Sequence, residues 1–109
     1  MTATISPIAA PVLGPAGMTK IRRYQGLCAA RDLVNAHGLD TAVLADAAFA
    51  LDHEIDNLGA DIAQTLIAVA LRKQNPTAKF ASSHRKAAMM IAEDPALVVG
   101  ALHAAGVLA

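Results

Sequence analysis

The sequence predicts an all-α fold, a small bundle of four to five helices preceded by an extended Pro/Gly-rich N-terminal arm. Three observations predict it. The first is composition: 26 of the 109 residues are alanine, the best helix former, against two Phe, one Tyr and no Trp. Aromatic residues, which favour strands, are correspondingly sparse. The second is periodicity. Leu44, Ala48, Leu51, Ile55, Leu58 and Ile62 recur at alternating spacings of four and three, an a/d seam. The third is punctuation: Gly38, Asn75-Pro76, Asp94-Pro95 and Gly106 divide the chain into helix-sized pieces.

Residues 1–18 read as the arm. Pro7, Pro11 and Pro15, with Gly14 and Gly17, oppose a helix and favour polyproline or turn geometry. The arm is nonetheless apolar, with Ile5, Ile8, Val12, Leu13 and Met18. It therefore reads either as a disordered leader or as a strap lying on a partner subunit.

Residues 19–109 read as one helical domain. The first helix starts at Thr19 as N-cap, carries Ile21, Tyr24, Leu27, Cys28, Leu33 and Val34, and stops at Gly38. The second follows Asp40 and reaches about Leu58. Gly59, then Asp61 with Gln64 three residues on, resembles a capping box opening a third helix over 62–74. The seam keeps its phase across Gly59, so one unbroken helix over 41–74 is the alternative. Arg72 and Lys73 suit a helix C-terminus, and Asn75-Pro76 ends it. The next helix, about 78–93, aligns Phe80, His84, Ala87, Met90 and Ile91 on one face. Asp94 then caps, and Pro95 opens, a last helix running to Ala105 and ending at Gly106. Only Gly100 and His103 interrupt the apolar surface of that helix, which places it in the centre of the core or against another chain.

Composition narrows the function classes. A formal net charge of zero gives no whole-molecule attraction to nucleic acid or anionic membrane. Cys28 alone excludes an internal disulfide and fits a reducing compartment. The first 19 residues lack the basic and unbroken apolar regions of a secretory signal. The uncharged stretch 95–109 is short of the roughly 20 residues that span a bilayer. The expectation is a soluble cytoplasmic protein with no membrane span.

No residue set has the spacing of a catalytic or metal centre. The densest polar run is Asp52-His53-Glu54-Ile55-Asp56-Asn57, whose nearest ligand-like pair is His53-x-x-Asp56. With Leu51, Ile55 and Leu58 on the seam, His53 points away from the core, and the run reads as a solvated face. The four histidines, His37, His53, His84 and His103, fall one to a helix on four of the five. His84 shares an apolar face and reads as a hydrogen-bonded core or interface group. Cys28 has Arg31, Arg22 and Arg23 nearby in sequence, yet beside Tyr24 it reads as a small buried residue. Ser82-Ser83-His84 cannot form a triad, because adjacent helical residues do not face each other. No cofactor motif occurs.

Charge is the one feature ordered on a large scale. Residues 1–39 carry four bases and one acid, 40–61 carry six acids and no base, and 62–92 carry five bases and no acid. One reading is complementarity between helices, with Arg85 and Lys86 facing the acids around Asp52 and Asp56 within one molecule or across a subunit contact. The other is an anion-binding patch of Arg72, Lys73, Lys79, His84, Arg85 and Lys86, touching phosphates without aromatic stacking. The resulting expectation is a non-enzymatic interaction or assembly protein that binds itself or another protein. Its contacts are Ile5, Ile8, Val12 and Leu13 of the arm and Leu97, Val98 and Leu102 of the last helix. The alternative is a small regulator binding nucleic acid or a nucleotide through the basic 72–86 surface.

Overall fold

The computed structural model describes residues 9–37 and 42–108, with side chains from Leu13 onward. The described residues form four helices and no strand: α1, Ala9–His37; α2, Ala42–Gln74; α3, Phe80–Glu93; and α4, Ala96–Ala104. Gly38 and Asp40, expected as stop and cap of the first loop, lie outside the described residues.

The 33-residue α2 is about 50 Å long at 1.5 Å per residue, close to the 53 Å long axis of the molecule. It is the spine of the bundle. α1, α3 and α4 each pack on it, whereas α1 and α3 do not meet. The break expected at Gly59 does not occur, and the unbroken alternative is the one found. Gly59 is buried because of packing, not chain reversal. A Cβ there would stand 3.0 Å from Tyr24 Cε2 and 3.5 Å from Leu102 Cδ1. The glycine lets the Tyr24 ring lie against the α2 backbone. Asp61 and Gln64, freed from capping, reach across to α1 and α3 instead.

Of the expected arm, residues 9–18 are helical and residues 1–8 lie outside the described residues. Gly14 alone takes the positive φ, 67°, that separates a short helical turn from the long segment. Pro15 then falls at the start of that segment, where its ring suits the fixed φ and its missing N–H is not needed. Thr19 is consequently inside the helix rather than capping it, and its Oγ1 donates to the Pro15 carbonyl at 3.0 Å. Ile5 and Ile8 lie outside the described residues.

The C-terminal pair of helices follows the sequence signals more closely. Asp94 leaves helical geometry and Pro95 resumes it, as a proline at a first helical position should. The Asp94 side chain makes no capping bond, and only its carbonyl accepts, from the Leu97 N–H at 3.0 Å. Gly106, at φ 75°, closes α4 in a Schellman motif. Val107 N–H donates to the Leu102 carbonyl at 2.9 Å and Gly106 N–H to that of His103 at 3.0 Å.

The core gathers Ile21 and Tyr24 of α1, Ile62 of α2, Leu102 of α4 and Val107 beyond it. Leu13, Met18, Ile55, Leu58, Leu66 and Val98 pack around this cluster. Elsewhere the buried positions are small, Ala48, Ala63, Ala68 and Ala87, so the helices close on one another with little bulk between them. Of the two places expected for the last helix, the centre of the core is not the one it takes. It buries Leu102 and leaves Val99, Gly100, His103 and Ala104 exposed, because nine residues on the flank of α2 can hide only one stripe.

Candidate functional site

The acids of α2 are matched by α1. Lys20 pairs with Asp61 at 2.7 Å, Arg23 with Glu54 at 3.2 Å and Arg31 with Asp52 at 2.7 Å. Arg31 also donates to Asn35 Oδ1. Arg23, Leu27, Glu54, Asn57, Leu58 and Asp61 line an open groove of about 410 Å³ between the two helices. The Lys20 and Arg23 pairs are substantially solvated, so each contributes under about 1 kcal/mol, whereas the Arg31 side chain is half-buried against α2, and together the three fix the register of α1 on α2. Charge complementarity is therefore real, but its partner is the earlier basic segment. Within one molecule Arg85 and Lys86 do not face Asp52 or Asp56, since α3 packs on α2 away from α1.

The polar run behaves as a surface. His53 and Asp56 are both exposed, and His53 Nε2 lies 3.3 Å from Asn57 Nδ2, one turn on. Among the described residues no three His, Cys, Asp or Glu side chains are grouped to hold a metal ion. No helix of the described residues is long and apolar enough to cross a membrane.

Cys28 is tied to Tyr24, one turn before it. Burial, the Cys28 charge and hydrogen bond, and Asp56 together push the Tyr24 phenol up to about 12. Burial pushes the Cys28 thiol up as well, against the opposing effect of the Tyr24 hydrogen bond. A raised thiol is a poor nucleophile, so Cys28 acts as core filling. The same shift fixes an alkaline response. The fold favours the neutral phenol, so the associated stability is complete below pH 10 and is lost as pH rises towards 12. About 2–3 kcal/mol should disappear across that window. The chain has a single tyrosine, so tyrosinate absorbance reports Tyr24 alone. Denaturant titrations should show Tyr24→Phe losing correspondingly less stability over the same window. An unshifted titration near pH 10 would refute the burial.

The six residues of the expected anion patch divide. Arg72, Lys73, Lys79, Arg85 and Lys86 are exposed, and among the described residues none of them pairs with a carboxylate. Arg72 and Lys73 line an open hollow of about 420 Å³ with Val69 and Pro76. His84 is different. Gln64 of α2 donates to the His84 carbonyl at 2.9 Å, and the same amide nitrogen lies 3.2 Å from His84 Nδ1. Since that nitrogen is a donor, Nδ1 accepts and the ring proton sits on Nε2. On its other side the ring stacks on Phe80, with centroids 5.7 Å apart. The sequence reading anticipated a hydrogen-bonded His84 but missed Gln64. Its signal was a long polar side chain inside an otherwise apolar stretch of α2.

The expected protein contacts also divide. Leu102, at 1% exposure, is core, and Leu13 and Val98 pack on that core. Leu97 is half-buried, and the side chain of Val12 lies outside the description. The most exposed large apolar residues are elsewhere: Val43 and Phe49, both 77% exposed, on the N-terminal half of α2. Ala48 is the only buried residue between 42 and 58. Here α2 has α1 on one side and nothing described on the other. No family model, curated protein or solved structure matches the chain.

Proposed function

We propose that the protein is a non-enzymatic helical assembly module whose partner is a second copy of itself. The observation that carries this reading is Phe49, one of only two phenylalanines, standing almost fully in solvent. Helical spacing puts Val43, Asp46, Phe49, Ala50 and His53 on the face of α2 turned away from Ala48 and α1. A two-helix hairpin with one bare apolar face completes itself by pairing with another, giving a four-helix arrangement.

Charge favours the same partner. Two copies with zero net charge do not repel. In an antiparallel two-fold contact centred on Phe49 and Ala50, Asp46 of each copy meets His53 of the other, since each lies three or four residues from the centre. Such a contact moves the interface from the arm and last helix, where Leu13, Val98 and Leu102 serve the protein's own core.

Analytical ultracentrifugation should find a dimer at micromolar concentration. Phe49→Asp should weaken it by at least about tenfold, the effect of withdrawing a large apolar side chain from burial. Helix content should not change, because Phe49 supports nothing within its own chain. Asp46→Arg should also weaken the dimer, and adding His53→Glu should restore it. A monomer at these concentrations, or a dimer indifferent to Phe49→Asp, would refute the proposal.

A further inference from the structure

Asp46, Phe49, His53 and Asp56 follow one another at spacings of three, four and three, so they form one stripe along the N-terminal half of α2. All four are exposed. The stripe continues one that is covered further along. Its next positions are Ala60 and Ala63, and Ala63 is fully buried. Flanking Ala63 around the helix, Gly59 lies against Leu102 of α4 and Gln64 is bonded to His84 of α3. α3 and α4 therefore cover this face of α2 only in its C-terminal half.

The charges on the bare half are one-sided. Asp52, Glu54 and Asp61 are paired with bases of α1, whereas among the described residues Asp46 and Asp56 make no ion pair. No Lys or Arg occurs between Asp40 and Asp61, so His53 is the only side chain there that can become a cation. The other three histidines belong to α1, α3 and α4. Zero net charge thus leaves a local imbalance, with two unneutralised carboxylates and one titratable imidazole on the face that Phe49 marks. The ring is free to change its charge. Its Nε2 accepts from Asn57 Nδ2 at 3.3 Å, and protonation asks only that this exposed amide present its oxygen instead.

We infer, resting on the self-association proposed above, that pairing of the two copies is driven by protonation of His53. With Phe49 and Ala50 at the two-fold centre, His53 of one copy stands opposite Asp46 of the other, and Asp56 lies one turn along on its own helix. Each ring is therefore flanked by two carboxylates, one from each copy. Of the charged groups of α1 along this stretch, Arg23 and Arg31 are already engaged with Glu54 and Asp52, and Asp32 is another acid. None of them supplies the missing charge. Neutral rings leave the Asp46 and Asp56 carboxylates of both copies gathered in one contact without a counter-charge. Protonated rings set a cation between each pair. The contact thus favours the charged imidazole, and assembly takes up protons. Affinity is fully developed at the acid end of the range in which histidine titrates and is lost as pH rises through it.

The test is sedimentation equilibrium of the full chain at about pH 5.5 and about pH 8, near the two ends of that range. The dimer should bind about tenfold more tightly at the lower pH, the combined effect of two exposed ion pairs. His53→Gln should still dimerise, but with the same affinity at both pH values. His53→Lys, with its fixed charge, should hold the tighter affinity at both. Because His53 is exposed, neither change should alter helix content by circular dichroism. A dimer that depends on Phe49 yet binds no more tightly at the lower pH would overturn the inference while leaving the assembly itself intact. So would a pH dependence that persists in His53→Gln. A monomer at both pH values would overturn both together.

Discussion

Leu102→Ala should lower the stability of the protein by about 3 kcal/mol, with a fall in melting temperature of roughly 15 °C. Leu102 is the side chain through which α4 enters the core, meeting Ile21, Tyr24, Ile62 and Val107 where α1, α2 and the C-terminal segment converge. Those neighbours are themselves buried and held in three separate elements, so they have little freedom to collapse into the space. The cavity should therefore persist and the loss fall in the middle of the Leu→Ala range. A nine-residue helix is not stable alone. Truncation should consequently loosen the Schellman turn, whose Val107 and Leu108 amides both donate to the Leu102 carbonyl. Hydrogen exchange should show those two amides losing protection first. Wild-type stability within about 1 kcal/mol would mean that α4 is not docked through Leu102.

The helical class was legible because it rests on local signals that tertiary packing had no reason to override. Alanine content, the 44–62 seam and the Asp94-Pro95 and Gly106 punctuation all act within one or two turns. The failures share a physical cause, since each residue involved has two uses that sequence cannot separate. Gly59 breaks a helix or admits a neighbour, and only the position of Tyr24 decides between them. Pro15 excludes a helix interior but suits a helix start, and Gly14 before it makes the second use available. Asp61 and Gln64 match a capping box by spacing, yet both side chains go to other helices.

The same limit applies to the candidate sites. The alternation of basic, acidic and basic segments was plain in the sequence, but not which basic segment meets the acids. That depends on α1 and α3 packing on different parts of α2. Exposure of Phe49 was equally illegible. It lies one residue past the seam position Ala48, and a seam says which face is buried without saying how far along the helix a second layer extends.

Gly59→Leu should be the most damaging single substitution in α2, costing more than about 3 kcal/mol or preventing folding. Helix propensity and crowding oppose each other here, and two glycines separate them. Replacing a helix-interior glycine by alanine gains about 1 kcal/mol of helix propensity. At Gly26 of α1 an added Cβ meets nothing within 4 Å, so Gly26→Ala should raise stability by about that amount. At Gly59 the same Cβ meets Tyr24 Cε2 at 3.0 Å, and the Tyr24 ring, buried and bonded to Cys28, has little room to yield. Overpacking typically costs 1–3 kcal/mol, which outweighs the propensity gain, so Gly59→Ala should lose about 1 kcal/mol. A leucine side chain drives three further carbons into the space held by Tyr24 and Leu102, which already crowd a Cβ. Chemical denaturation of Gly26→Ala, Gly59→Ala and Gly59→Leu should thus give a gain, a small loss and a large loss in that order. If Gly59→Ala stabilises as Gly26→Ala does, Tyr24 does not lie against the backbone of α2, and the close packing of α1 on α2 described above is wrong.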